Sequence, residues 1–147
     1  MKILSLPPLI KHFEAFGAIA DKRFRKIDEE NYEVISSDST KVYKVYVRKI
    51  SEKEFEVFSN DNGTILKNYV GYPILVVLID GGILRLAKNY EVLKGIEWKR
   101  LNENFKNYQK VLEYIKNKIG RENFEEILNV AEENQKILKN FKFYLKS

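Results

Sequence analysis

The chain has 147 residues, 44% of them hydrophobic and 32% charged, which supplies one core of ordinary size and is unlike the composition of a disordered chain. It has no cysteine and a single histidine, so disulfides, thiol nucleophiles, cysteine-ligated metals and iron–sulfur clusters are excluded by chemistry. Lys and Arg number 26 against 21 Asp and Glu, a formal charge of +5 that permits a nucleic-acid or anionic-lipid partner and requires neither.

Met1-Lys2-Ile3-Leu4-Ser5-Leu6 runs into Pro7-Pro8, too short an apolar stretch for a secretory signal, so the expected location is cytoplasmic. A charge-rich, cysteine-free composition of this kind resembles that of thermophile proteins. Pro7-Pro8 opens an amphipathic helix with Leu9, Ile10, Phe13 and Phe16 at helical spacing and Gly17 as its stop. His12 lies two residues from Glu14; such neighbours point to different faces of a helix, so no catalytic pairing follows and a surface or helix-end histidine is expected.

From Ala18 to Phe58 the pattern changes to short β-rich runs at 18–27, Tyr32–Ser36, Val42–Ile50 and Phe55–Phe58. Polar turns separate them, the signature of an antiparallel meander. Strand alternation over 42–50 places Tyr43, Val45 and Val47 on one face and Val42, Lys44, Tyr46 and Arg48 on the other. Asn60-Asp61-Asn62-Gly63 reads as a turn. It lacks the later glutamate of a calcium loop, and Asn62-Gly63-Thr64, although an acceptor sequon, sits in a chain without a secretory signal. Thr64–Val70 is read as a short helix. The apolar run Pro73–Ile79 is far shorter than the roughly 20 residues of a membrane span and is read as a buried strand. Asp80-Gly81-Gly82 would turn it into Ile83–Leu86 as a hairpin, so the sheet is expected over 18–86. No glycine spacing fits a phosphate loop, and no cofactor is expected.

After Asn89–Lys94, one or two helical turns ending at Gly95, comes the strongest pattern in the chain. Trp98, Leu101, Phe105, Tyr108, Leu112, Ile115 and Ile119 alternate steps of three and four residues, which puts all of them on one helix stripe. Gly120 supplies the stop. Phe124, Ile127, Leu128, Ala131, Leu138 and Phe141 continue as a second amphipathic helix, acidic early and basic late as the helix dipole favours. The expected fold is therefore a single α+β domain over 1–147. Residues 1–95 form the helix and β-rich part, and residues 96–147 a helical hairpin packed on the antiparallel sheet.

The order helix, β-meander, helix, strand resembles that of PD-(D/E)xK-type nucleases, which would imply metal-assisted phosphodiester hydrolysis. Val42–Ile50 carries no acid, and Glu54-Phe55-Glu56 runs on to Val57 and Phe58 without the required lysine; Glu14, Asp38 and Lys44 are the residues such a site would have to gather. The functional hint with regional structure is charge. Between Trp98 and Arg121, Lys99, Arg100, Lys106, Lys110, Lys116, Lys118 and Arg121 face only Glu103 and Glu113. A helix so charged suits contact with phosphates of DNA or RNA. On strand 42–50, Lys44, Tyr46 and Arg48 alternate cations with an aromatic able to stack on a base, with Arg23 and Arg25 as neighbours. The preferred expectation is a non-catalytic nucleic-acid-associated protein without a membrane partner. The alternative is a protein–protein interaction or assembly protein acting through the C-terminal helical hairpin, where the apolar surplus around Phe141, Phe143, Tyr144 and Leu145 would favour a homo-oligomer.

Overall fold

Residues 2–147, described by a computed structural model, place five strands in one sheet of order β1-β2-β3-β4-β5. The chain runs α1 (Ile10–Ala20), β1 (Phe24–Lys26), β2 (Asn31–Ile35), β3 (Val42–Ser51), β4 (Glu54–Ser59), α2 (Asn62–Ile65) and α3 (Tyr72–Asp80). A 3₁₀ turn at Tyr90–Leu93 leads to α4 (Trp98–Phe105), α5 (Tyr108–Ile119), α6 (Arg121–Leu138) and β5 (Lys142–Leu145). The first four strands are antiparallel and β5 joins β4 in parallel. The fold is α+β: an N-terminal helix, a mostly antiparallel sheet and C-terminal helices packed on it. Among the described residues no helix is long and apolar enough to cross a membrane.

The meander forms where alternation indicates it, with Tyr32 opposite Val45, Val34 opposite Tyr43 and Val47 opposite Val57 on the inner face. Its start differs. Residues 18–20 remain helical, and the chain reverses at Lys22, whose φ is 55°. Gly17 is not the end of α1 but a seat for an aromatic ring: a Cβ there would lie 2.5 Å from Trp98 Nε1.

Two further expectations are corrected. Pro73–Ile79 is helix, with Gly71 as N-cap and Pro73 in the first turn, where its missing N–H costs nothing. Every residue from Pro73 to Ile79 is buried, because α1 covers one side of α3 and β2–β4 the other. A helix apolar all round shows no amphipathic period, and a short apolar run then reads equally as a strand. Asp80-Gly81-Gly82 accordingly closes a helix, with the Gly81 N–H on the Val77 carbonyl at 2.9 Å, and Ile83–Leu86 forms no strand. Likewise Asp61, expected in a turn, is the N-cap of α2, its carboxylate accepting from Thr64 N–H at 3.1 Å.

The expected first helix of the hairpin is divided at Lys106, which takes the left-handed conformation (φ 53°), and Asn107, which caps α5 by accepting from Lys110 N–H at 3.1 Å. The break turns α5 back on α4, so the continuous stripe is cut: Val111 and Ile115 are buried in α5 while Phe105 is exposed beside Tyr114. In α6, Phe124, Ile127, Ala131 and Leu138 face inward. The buried Asn134 satisfies both main-chain groups of Arg85, each at 2.9 Å. Beyond Leu138 the chain does not stay helical. Phe141 and Phe143 pack on Phe55 at centroid distances of 5.3 and 5.4 Å, so the apolar tail builds the edge of the sheet.

His12 is fully buried rather than at the surface. Gln135 donates from Nε2 to the Pro7 carbonyl at 2.6 Å, which leaves its Oε1 to accept from His12 Nε2–H at 2.7 Å. Burial pushes the imidazole below its ordinary value of 6.5, the hydrogen bond to Gln135 opposing only in part. The folded state thus prefers the neutral ring. Stability is complete above the unfolded value near 6.5 and declines as pH falls below it, at up to about 1.4 kcal/mol per pH unit for one proton. Urea midpoints at pH 7.5, 6.5 and 5.5 should show this decline, and His12→Gln should flatten it. Identical slopes in the two proteins would refute it.

Candidate functional site

α3 packs on β2, β3 and β4 and α2 on β4, and the strand face buried with them carries Tyr32, Val34, Val45, Phe55 and Val57. Among the described residues no helix covers the other side, and strand alternation fills it with polar and aromatic residues. Register aligns them in rows: Arg25 beside Glu33 beside Lys44, Asn31 beside Tyr46 beside Phe58, and Arg48 beside Glu56 beside Tyr144. Lys44, Tyr46 and Arg48 therefore share one face, with Arg25 two strands away, as alternation predicts. A shallow cavity of about 390 Å³ opens there, lined by Arg25, Asn31, Lys44, Tyr46 and Phe58.

Several of these groups are already engaged. Arg25 pairs with Glu33 at 2.6 Å and Arg48 with Glu30 at 3.7 Å. The Tyr46 hydroxyl donates to Glu56 at 3.1 Å, and Lys146 Nζ stands 4.1 Å from its ring centroid. Lys44 holds no ion pair among the described residues; its backbone N–H donates to Asn60 Oδ1 at 2.9 Å. Arg23 does not extend the face. It is buried, bonded to Asp21 at 3.0 Å and to the Ile35 carbonyl at 2.5 Å.

The helix cations divide. Lys99 reaches Asp38 and Thr40, each at 3.1 Å, and Arg100 pairs with Glu97 at 3.3 Å. Lys106 and Lys110 are exposed at the α4–α5 break without ion pairs among the described residues. Because α5 packs chiefly on α4 and α6, these lysines and the sheet-face residues belong to different surfaces. Glu14, Asp38 and Lys44 are not gathered either: Glu14 is buried beneath the helices, Asp38 is taken by Lys99, and Lys44 lies on the open face. Thr40, Ser36 and Lys99 hydrogen-bond Asp38 and hold its carboxyl far below the usual range.

A second feature lies on the helix side, a polar pocket of about 350 Å³ between α1, β3, α2, α3 and α4. Its floor is the Lys11–Glu14 ion pair at 3.0 Å, to which Asn102 Nδ2 adds a hydrogen bond at 3.3 Å. Asp61 anchors one wall by accepting from the Thr64 hydroxyl at 2.8 Å, and Thr64 Oγ1 accepts from Gly71 N–H at 3.2 Å. Tyr43 and Tyr72 meet edge to face at 6.0 Å, with Trp98 nearby. Burial by itself lowers Lys11, but Glu14 and the phenols of Tyr69 and Tyr108 reverse this and raise it well above its ordinary value. Burial would raise Tyr108, yet the hydrogen bond from Tyr69 and the charges of Lys11 and Lys67 outweigh it and bring the phenol below its ordinary value. Lys11 Nζ and Lys67 Nζ stand 5.2 and 5.9 Å from the Tyr108 ring centroid.

This pocket escapes a reading of the sequence because its residues come from five separated elements, α1, β3, α2, α3 and α4, and from the turn between β2 and β3. The one local signal was Lys11 and Glu14, three residues apart on a helix whose Phe13 and Phe16 are also buried. No curated protein and no solved structure matches the chain. A family model matches residues 4–144, nearly the whole length, and the chain belongs to that family, described as Uncharacterised conserved protein UCP014422.

Proposed function

We propose that the protein associates with nucleic acid without acting on it chemically, holding single-stranded segments on the open face of the sheet. The observation that carries this reading is the alignment of Lys44, Tyr46 and Arg48 with Arg25 and Phe58 on a face that no helix covers among the described residues. Cations interleaved with aromatics suit a single strand, whose bases can stack and whose phosphates can be neutralised at the same surface. Glu33 and Glu56 share the rows, so the attraction is local and binding modest. Lys106 and Lys110 add attraction without sequence preference from another side. A cytoplasmic location accords with such a partner.

Fluorescence anisotropy with labelled single-stranded oligonucleotides tests it. Affinity should fall steeply between about 50 and 200 mM salt. The pair Lys44→Glu and Arg48→Glu should weaken binding about tenfold, and Tyr46→Ala by a comparable factor if a base stacks on it. Absence of binding at low salt, or indifference to these substitutions, defeats the proposal.

One observation favours assembly as a second reading. Phe105 and Tyr114, 37% and 40% exposed, stand 6.0 Å apart at the α4–α5 break. Sedimentation of the wild type and of Phe105→Ser decides it, since a monomer at every concentration in both would count against assembly.

A further inference from the structure

We propose that the pocket on the helix side binds a mononucleotide, a small anion that carries a planar base. The argument begins with charge. Four lysines line the pocket, Lys11, Lys41, Lys67 and Lys99, against the carboxylates of Glu14, Asp61 and Glu103. Lys11 is satisfied by Glu14 and Lys99 by Asp38. Lys41 and Lys67 are exposed and form no ion pair among the described residues. Both are therefore free to give charge-assisted hydrogen bonds to an anion that enters the pocket.

Shape and chemistry select the remainder of the ligand. The walls offer two half-buried aromatic side chains, Tyr43 and Tyr72, with the buried Trp98 also in the lining, and such rings suit a planar base. Asn102 gives its Nδ2 to Glu14 and leaves Oδ1 without a partner, so a small side-chain rotation would offer a base an acceptor for an amino group. At about 350 Å³ the pocket stands near the lower end of ligand sites, adequate for one nucleoside with its phosphate and too small for a dinucleotide. The strand-binding face lies on the other side of the sheet, so this site is independent of it.

Titration calorimetry of the full chain with AMP and UMP, with adenosine and inorganic phosphate as partial ligands, tests the proposal. Trp98 is the single tryptophan, and its emission reports occupancy in the same titrations. At least one mononucleotide should bind saturably, with adenosine and phosphate each at least about tenfold weaker. Lys67→Ala and Lys41→Ala should each cost about tenfold, the effect of a charged hydrogen bond. Lys44→Glu on the open face should leave mononucleotide affinity unchanged while weakening oligonucleotide binding, which separates this site from the sheet face. Circular dichroism checks that the variants are folded, and both lysines are exposed enough to be replaced safely. No saturable binding of either mononucleotide to millimolar concentration overturns the proposal. So does affinity indifferent to both lysines, or phosphate binding as tightly as the nucleotide.

Discussion

Replacing Phe13 with alanine is expected to lower the free energy of unfolding by about 3–5 kcal/mol, read as a shifted urea midpoint at unchanged slope. Phe13 is wholly buried in α1, which is packed between α3 on one side and α6 on another. Its ring lies 5.4 Å from that of Phe124, so it joins the N-terminal helix to the C-terminal ones. Truncation removes transfer free energy and leaves a cavity whose walls are held by two neighbouring helices and cannot close freely. Against a total stability of about 5–15 kcal/mol the loss is large. Leu66→Ala, at a side chain 69% exposed, should change stability by less than about 0.5 kcal/mol. A loss below about 1 kcal/mol for Phe13→Ala would mean that the junction between α1 and α6 adjusts easily and does not hold the helices in place.

Gly71→Ala is expected to cost about 2–3 kcal/mol, opposite in sign to the usual consequence of the exchange. The backbone at Gly71 (φ −75°, ψ 164°) is open to any residue. On conformational grounds alone alanine would therefore stabilise by about 0.4–1 kcal/mol through the unfolded chain. Space reverses this. A Cβ at position 71 would stand 2.6 Å from Asp61 Cγ, and Asp61 is itself buried and committed to capping α2 through Thr64. To make room the carboxylate must leave Thr64, losing a cap worth about 1 kcal/mol and leaving a buried charge with poorer partners. Thermal or urea denaturation of the variant decides between the two signs, and a stabilised Gly71→Ala protein would show that Asp61 can move freely.

What the sequence makes legible follows from how each residue meets its surroundings. The meander is readable because half of each strand faces the core and half faces solvent, so Tyr32, Val34 and Val45 alternate with Glu33 and Lys44. For α3 the same logic fails: from Pro73 to Ile79 there is no exposed side to mark the turn of the helix. The division of the C-terminal helix at Lys106 is hidden for another reason. Lysine has no preference for the left-handed conformation, and the informative residue is the modest cap Asn107. The strand 142–145 reads as helix because Leu138, Phe141 and Leu145 keep a helical spacing across the turn that ends α6. Of the candidate site, Lys44, Tyr46 and Arg48 are brought to one face as alternation requires. The pairing of Lys99 depends on Asp38, about sixty residues away, and is visible only once the chain is folded.

The parallel strand β5 gives the chain an order of events. Helices and hairpins close between near neighbours, whereas Tyr144 reaches Glu54 across 90 positions of chain, with α2 through α6 lying between. Closing so long a loop carries an entropic charge of several RT that local contacts do not meet, and chains dominated by such pairings acquire their structure slowly. The meander and the helix pairs can form early, while the row of hydrogen bonds between β4 and β5 must wait for the intervening helices to gather. Until then β4 has an unpaired edge, bearing Phe55 and Val57, and that edge is where one unfinished chain would find another. Dilute, rapid refolding should therefore recover more native protein than concentrated refolding, and β5 is the element whose arrival ends the vulnerability.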